Sequence, residues 1–277
     1  MDRELVLAGL LIITVGLTLL AAAPWPRPID PRRSAREWEL ATWRELWWPS
    51  VPVVTVISIL IGWAIVEPAI SDEHLPFSAL VLSAVFLGLW LRAVIRAIRA
   101  LRSRTPVVAG TVGFWRARVI LSDEFIARLD PDAIDAAQAH EMAHARHRDP
   151  LRIWLAQMIT DLQWPWPAAQ RRFGRWRHVL ELARDEEARL SGADGADLAA
   201  AVLAAVKLHV SGAPGAALIE DSIGLEERIN RLLAPVSGED VQPRRPTAIT
   251  LFAVSVVGML FGIRFGEGFV ETIVKCL

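Results

Sequence analysis

His140-Glu141-Met142-Ala143-His144 decides how this chain reads. The five residues have the form H-E-x-x-H. They lie in a segment that predicts a helix, opened by Asp130 as N-cap and Pro131 at the first helical position. Residues at i and i+4 share a helix face, so His140 and His144 can each offer a ring nitrogen to one zinc ion. Glu141 sits beside that face, placed to take a proton from a water activated by the ion. A five-residue pattern also arises by chance, in which case the helix carries ordinary solvated His and Glu. A second acidic pair at helical spacing, in Glu181-Leu182-Ala183-Arg184-Asp185, weighs against chance.

A catalytic zinc takes three protein ligands and keeps one position open. Glu181 leads as the third, because a second helix packed across the first can bring its carboxylate to the ion. Asp185, one turn further on, is placed to accept the other N–H of a ligand histidine and fix its tautomer. Two histidines compete with Glu181. His147 shares the face of His140 and His144, but ~10 Å of helical rise separates it from His140, and no Gly after His144 turns the chain. His178 lies one turn before Glu181. Peptide hydrolysis also needs a donor for the developing oxyanion. The chain has no Tyr, so that role falls to His178, Arg175, Arg177 or a backbone N–H. One Zn2+ per chain is expected.

Outward from this centre the chain is unusually apolar. Its 277 residues are 53% hydrophobic with a net charge of −1, and the mean hydropathy is +0.34. Such a balance points to membrane spans and gives no basic field for nucleic acid. Cys276 is the only cysteine, which excludes an internal disulfide and a multi-cysteine zinc site. Four apolar runs stand out: Leu5 to Ala23, Val51 to Val66, Leu75 to Leu91, and Thr247 to Ile263. Leu5 to Ala23 is long enough to cross ~30 Å of hydrocarbon as a helix, and the other three read as further spans. The first could instead be a cleaved leader, but its flank is not basic and the run exceeds the usual core of roughly 7–15 residues.

Arg distribution sets the orientation. The connector 24–50 holds Arg27, Arg32, Arg33, Arg36 and Arg44, and Arg96, Arg99, Arg102 and Arg104 follow the third run. The turn Ser71 to His74 has no Lys or Arg. The connector and residues 97–246 should therefore face the cytoplasm, with both termini outside. The expected organisation is a three-span region over 1–96, a cytoplasmic domain over 97–246, and a fourth span with a short tail over 247–277.

Within 97–246 a strand pair is expected, Val107 to Ala109 and Arg116 to Leu121, with a turn near Gly110 and Gly113. The second strand could offer an edge to an extended substrate or serve only the fold. Ser122 should cap a short helix reaching Leu129. Asp149-Pro150 should end the H-E-x-x-H helix. Further helices are expected from about Arg175 to Leu190, Ala196 to Val210 and Leu225 to Leu233, with a loop at 212–215. Trp154, Trp164 and Trp166 suit either the membrane surface or a core.

Val119-Ile120-Leu121-Ser122, His140 to His144, Arg148-Asp149, Leu180 to Glu186 and Glu227-Arg228-Ile229-Asn230-Arg231-Leu232-Leu233 together resemble the BlaR/MecR-type membrane metallopeptidases over roughly 75–235. The resemblance implies a mainly α protein. Four transmembrane helices would carry a cytoplasmic α+β gluzincin domain between the third and fourth. It implies zinc held by His140, His144 and Glu181, with Asp185 beside them and Arg184 where the family usually has Cys, a position not needed for zinc. Only 14 residues follow Ile263, so the penicillin-binding sensor of those receptors is not expected in this chain.

The implied activity is a membrane zinc endopeptidase in signalling, in a bacterial-type cytoplasmic membrane. Its partners would be the lipid bilayer and a protein substrate such as a transcriptional repressor. Two alternatives stand beside it. One is a quality-control or processing protease of the HtpX or CAAX type, which shares H-E-x-x-H and E-x-x-x-D. The other is a non-catalytic membrane scaffold or receptor subunit.

Overall fold

The structure is a computed structural model that describes residues 34–49, 91–99, 101, 108–114, 116–164, 167–210, 218–235, 253 and 255–265, with single positions at 55, 58, 59, 62, 84 and 88. The described part is mainly helical. Helix α1 is Ala35–Trp47, followed by strands β1 (Ala109–Val112) and β2 (Arg118–Leu121). Helices α2 (Asp123–Ile126), α3 (Pro131–His147), α4 (Asp149–Leu162), α5 (Pro167–Leu190), α6 (Gly195–Val210) and α7 (Leu218–Leu233) complete the order.

The first expected span lies outside the described residues, as do the turn 71–74 and the loop 212–215. The other three spans are described only in part. Among the described residues, no helix is long and apolar enough to cross a membrane. Residues 91–99 and 255–265 are helical. The second of these comes against the second apolar run with no room for a side chain between them. A Cβ at Gly62 would collide with the Met259 carbonyl oxygen, and one at Gly262 with that of Ile59.

The two strands pair antiparallel, with Thr111 opposite Val119. They start later than the sequence suggests, and Gly110 belongs to β1 rather than to the turn. Gly113 makes the turn, at φ 97°, where a Cβ would meet the Arg116 carbonyl oxygen at 2.6 Å. Only glycine takes that conformation without strain.

Caps set the next elements. Ser122 accepts from the Phe125 N–H at 3.3 Å, and the Asp130 carboxylate accepts from the Ala133 N–H at 2.9 Å. Each satisfies a donor that the first helical turn leaves free. The short helix α2 closes at Ile126, short of Leu129. Helix α3 then buries Ala133, Ala136, Ala137 and Ala143, small residues that let neighbouring helices come close.

The chain does not leave helix after His147. Arg148 takes a left-handed conformation, φ 53° and ψ 42°, which costs a non-glycine residue ~1–2 kcal/mol. The corner reverses direction, and Asp149-Pro150 opens α4. Proline suits a first helical turn, where its missing N–H has no partner to lose. So Asp149-Pro150, expected only as a stop, is also a start. Helix α5 begins at Pro167, well before Arg175, and α7 begins at Leu218, before Leu225.

Helix α1 departs most from the sequence-based organisation. It belongs to the stretch expected as a polar connector, yet it packs along α5. Its buried residues, Ala35, Glu39, Thr42 and Leu46, recur every three to four positions, one stripe of a helix. Leu46 joins Ala156, Phe173, Trp176 and Leu180 in a core cluster shared by α1, α4 and α5. A second cluster, with Phe125, Ala137 and Ala201, joins α2, α3 and α6. A third, with Ala136, Ala188, Leu198 and Leu232, ties α7 to α3, α5 and α6. Helices α3 and α5 are thus gripped from several sides, and they carry the residues discussed next.

Trp176 is fully buried at the centre of the first cluster. Trp176→Ala should destabilise the protein by about 3–5 kcal/mol, read as a lower midpoint in denaturant unfolding of the purified chain. A loss under about 1 kcal/mol would show that α1 and α5 are not packed as described.

Candidate metal centre

His140 and His144 are buried on the face of α3 that meets α5. Their Nε2 atoms lie 3.1 Å apart. Glu181 reaches them from α5, with Oε2 3.5 Å from His140 Nε2 and Oε1 3.7 Å from His144 Nε2. The three donor atoms fall within 4.8 Å of one another. One third of the Glu181 side chain is exposed, so the centre opens to solvent on that side.

The competing histidines are engaged elsewhere. His147 Nε2 is 2.7 Å from Glu187 Oε2. His178 Nε2 is 2.9 Å from Glu227 Oε2 on α7. Arg177 is exposed.

Carboxylates hold the far side of each ring. Asp149 Oδ2 is 2.9 Å from His144 Nδ1. Asp185 Oδ1 is 2.9 Å from His140 Nδ1, though out of line for a good hydrogen bond. Each contact favours a proton on Nδ1 and leaves the Nε2 lone pair facing inward. Two such lone pairs 3.1 Å apart, beside a carboxylate, repel unless a cation or a proton lies among them. Two imidazoles and a carboxylate are also a donor set that zinc accepts. The residues present fit a divalent metal.

Four of the groups that build this surround were absent from the sequence reading of the site. Asp149 is fully buried and matched by Arg184, whose Nε and Nη2 donate at 2.5 and 3.0 Å. Arg184 stands at the position expected not to be needed for zinc. It is itself buried, and it neutralises the carboxylate that orients His144. Arg152 adds a third donor to Asp149 at 2.9 Å. From α7, Arg228 donates to both oxygens of Asp185, at 2.5 and 2.9 Å. The same guanidinium lies 3.2 Å from Glu181 Oε2 and 3.3 Å from His140 Nε2. Asp149 and Arg228 were visible as parts of family-like stretches, but no local spacing ties either to the histidines.

Glu141 is oriented from β1. The Thr111 hydroxyl lies 2.7 Å from the Glu141 carbonyl oxygen and 2.9 Å from its Oε2. The strand bordering the Glu141 carboxylate is therefore β1.

The electrostatics follow from these contacts. Burial opposes protonation of His144, but Glu181 and Asp149 outweigh it and raise its pKa to about 10. His140 is raised too, with burial outweighed by Asp185 and Glu181. Glu181 is held well below the usual carboxylate range; burial works against this, and His144 and Arg228 prevail. Burial likewise opposes ionisation of Asp185, and Arg228 and His140 overcome it. Without a metal the centre therefore draws protons onto its rings.

The sequence model of the BlaR1 peptidase M56 family matches residues 94–231. All three clustered donors, Glu141, Asp149, Asp185 and Arg228 lie within the match. No curated protein and no solved structure matches the chain.

A raised histidine pKa stabilises the folded state fully below the unfolded value of about 6.5. That contribution is lost as pH rises toward the folded value of about 10. The chelator-treated protein should thus lose thermal stability between about pH 6.5 and 10, while its zinc affinity rises over the same window as metal competes with fewer protons. Melting curves with and without zinc across that range check this. A metal-free Tm that does not fall would mean that Glu181 and Asp149 do not hold a proton on His144.

Proposed function

Through residues 94–231 the chain belongs to the BlaR1 peptidase M56 family, and from that membership we propose that it is an integral-membrane zinc endopeptidase. The convergence of His140, His144 and Glu181 from two helices carries the reading. When bound there, zinc would polarise a peptide carbonyl and lower the pKa of a water toward ~7. Glu141 then takes the proton of the attacking water and returns it to the leaving amine. Thr111 limits the freedom of that carboxylate while it does so. Arg228, within reach of Glu181 and His140, adds positive charge beside the centre, of the sign that would favour a developing oxyanion. An extended substrate would lie along β1, next to Glu141, and pair with its backbone.

Membrane integration is part of the proposal. The four apolar runs and the Arg distribution support four spans with the peptidase domain in the cytoplasm. The described parts of the third and fourth runs and their flanks agree in character. Leu91, Val94, Ile95 and Ile98 are exposed on one, and Val257, Leu260 and Phe265 on the other. Apolar surface of this kind needs cover, which lipid would supply. On this orientation the substrate is a cytoplasmic protein, and a transcriptional repressor would place the enzyme in signalling.

Glu141→Gln separates an enzyme from a scaffold. The purified variant should retain about one zinc per chain by elemental analysis and lose about 10²–10⁴-fold in peptide hydrolysis. Hydrolysis at the wild-type rate would remove Glu141 from the mechanism, and a wild-type protein without zinc would remove the enzyme.

A further inference from the structure

Helix α1 lies outside the family match, which begins at residue 94, and it places one charged side chain in the protein interior. Glu39 is 4% exposed. A carboxylate at that depth is costly unless a cation meets it. The Arg152 Nη2 donates to Glu39 Oε1. The other terminal nitrogen of the same guanidinium donates to Asp149 Oδ1 at 2.9 Å, and Asp149 Oδ2 faces His144 Nδ1 at 2.9 Å. Contacts therefore run without a break from α1, through two residues of α4, to a ring that faces the metal centre.

Arg152 has little freedom to break this path. Its guanidinium lies over the Trp43 ring at 4.7 Å and near the Trp176 ring at 5.7 Å, so an aromatic from α1 and one from α5 fix its plane. Arg184 already neutralises Asp149 with two hydrogen bonds. Without Glu39, Arg152 would be a second cation with Asp149 as its remaining carboxylate. Two guanidiniums would then draw on one acceptor, and Asp149 would bond the His144 N–H less strongly. A weaker bond at Nδ1 makes Nε2 a poorer donor to a metal.

We propose that Glu39 is a positioning residue for the metal centre, acting on His144 through Arg152 and Asp149, so that α1 sets how tightly the centre binds its ion. The peptidase unit then includes a helix supplied by the connector between the first and second apolar runs. A displacement of that connector would reach the histidine without touching any residue of the H-E-x-x-H motif. The inference rests on the zinc reading of the preceding subsection.

The test uses the full chain in detergent and measures zinc affinity by competition with a chromophoric chelator. Visible absorption of the Co2+-substituted protein is recorded alongside, with Tm of the metal-free form. Glu39→Gln should weaken zinc binding about 3–10-fold, less than the 10–100-fold typical of a direct partner of a ligand, and shift the Co2+ bands. Leu46→Ala, a packing change on the same buried stripe, should lower Tm with and without metal alike and leave affinity and spectrum unchanged. Arg152→Lys keeps the charge but cannot bridge both carboxylates, so it breaks the same path; it should change zinc affinity and shift the Co2+ bands, and it carries the test if Glu39→Gln does not fold. Wild-type affinity and spectrum in the folded variant would overturn the inference. So would an equal loss of affinity in Leu46→Ala, which would make the effect one of general stability. Failure of the wild type to bind zinc would instead overturn the zinc reading on which the inference stands.

Discussion

A carboxylate with no access to water must find hydrogen-bond donors, and Asp149 finds them on three sides. His144 meets it from α3, Arg184 from α5 and Arg152 from α4. The left-handed turn at Arg148 makes this possible, because it brings the fifth residue after His144 back against the His144 ring. The interface between α3 and α5, and with it the approach of Glu181 to the two imidazoles, is organised around this buried charge. Acidic and basic groups in the surround then pair off. Arg184 answers Asp149, Arg228 answers Asp185, and Arg152 answers Glu39. Glu141 and Glu181 share what is left of Arg228, whose two closest bonds go to Asp185. Two surplus negative charges beside two neutral rings are what a divalent ion would balance.

The legible and illegible parts of the site divide along sequence distance. His140, Glu141 and His144 are readable because one helical turn puts them on one face. Asp185 is readable relative to Glu181 for the same reason. That the two helices cross at those positions is a tertiary fact, suggested by chemistry and by family likeness rather than by periodicity. Asp149 reads as a helix stop because Asp-Pro is a breaker signal. The same dipeptide starts a helix, and only the conformation of Arg148 distinguishes an end from a corner. Arg228 has no local signature at all, since its partners lie more than forty residues away.

The fold shows the same division. Caps at Ser122 and Asp130 are local, and they were legible. Helix α4 is not evident from sequence, because its polar residues and Trp154 suit an irregular surface segment as well as a helix. Helix α1 was hidden by composition: a stretch with five arginines and several tryptophans looks like a connector beside a membrane. What makes it part of the folded unit is a single stripe, Ala35, Glu39, Thr42 and Leu46, in which two of four members are polar. A hydrophobic pattern does not flag such a stripe, because the burial of Glu39 depends on a guanidinium far along the chain.

The close approach of Gly62 to Met259 and of Gly262 to Ile59 bears on biosynthesis. These segments are separated by nearly the whole peptidase unit, and a ribosome makes the earlier one long before the later. Domains generally fold as they emerge, so α3 and α5 can meet while residues 255–265 are still being translated. The glycine contact then fastens a unit already formed, and truncation just before it would leave the protease assembled but untied at one end.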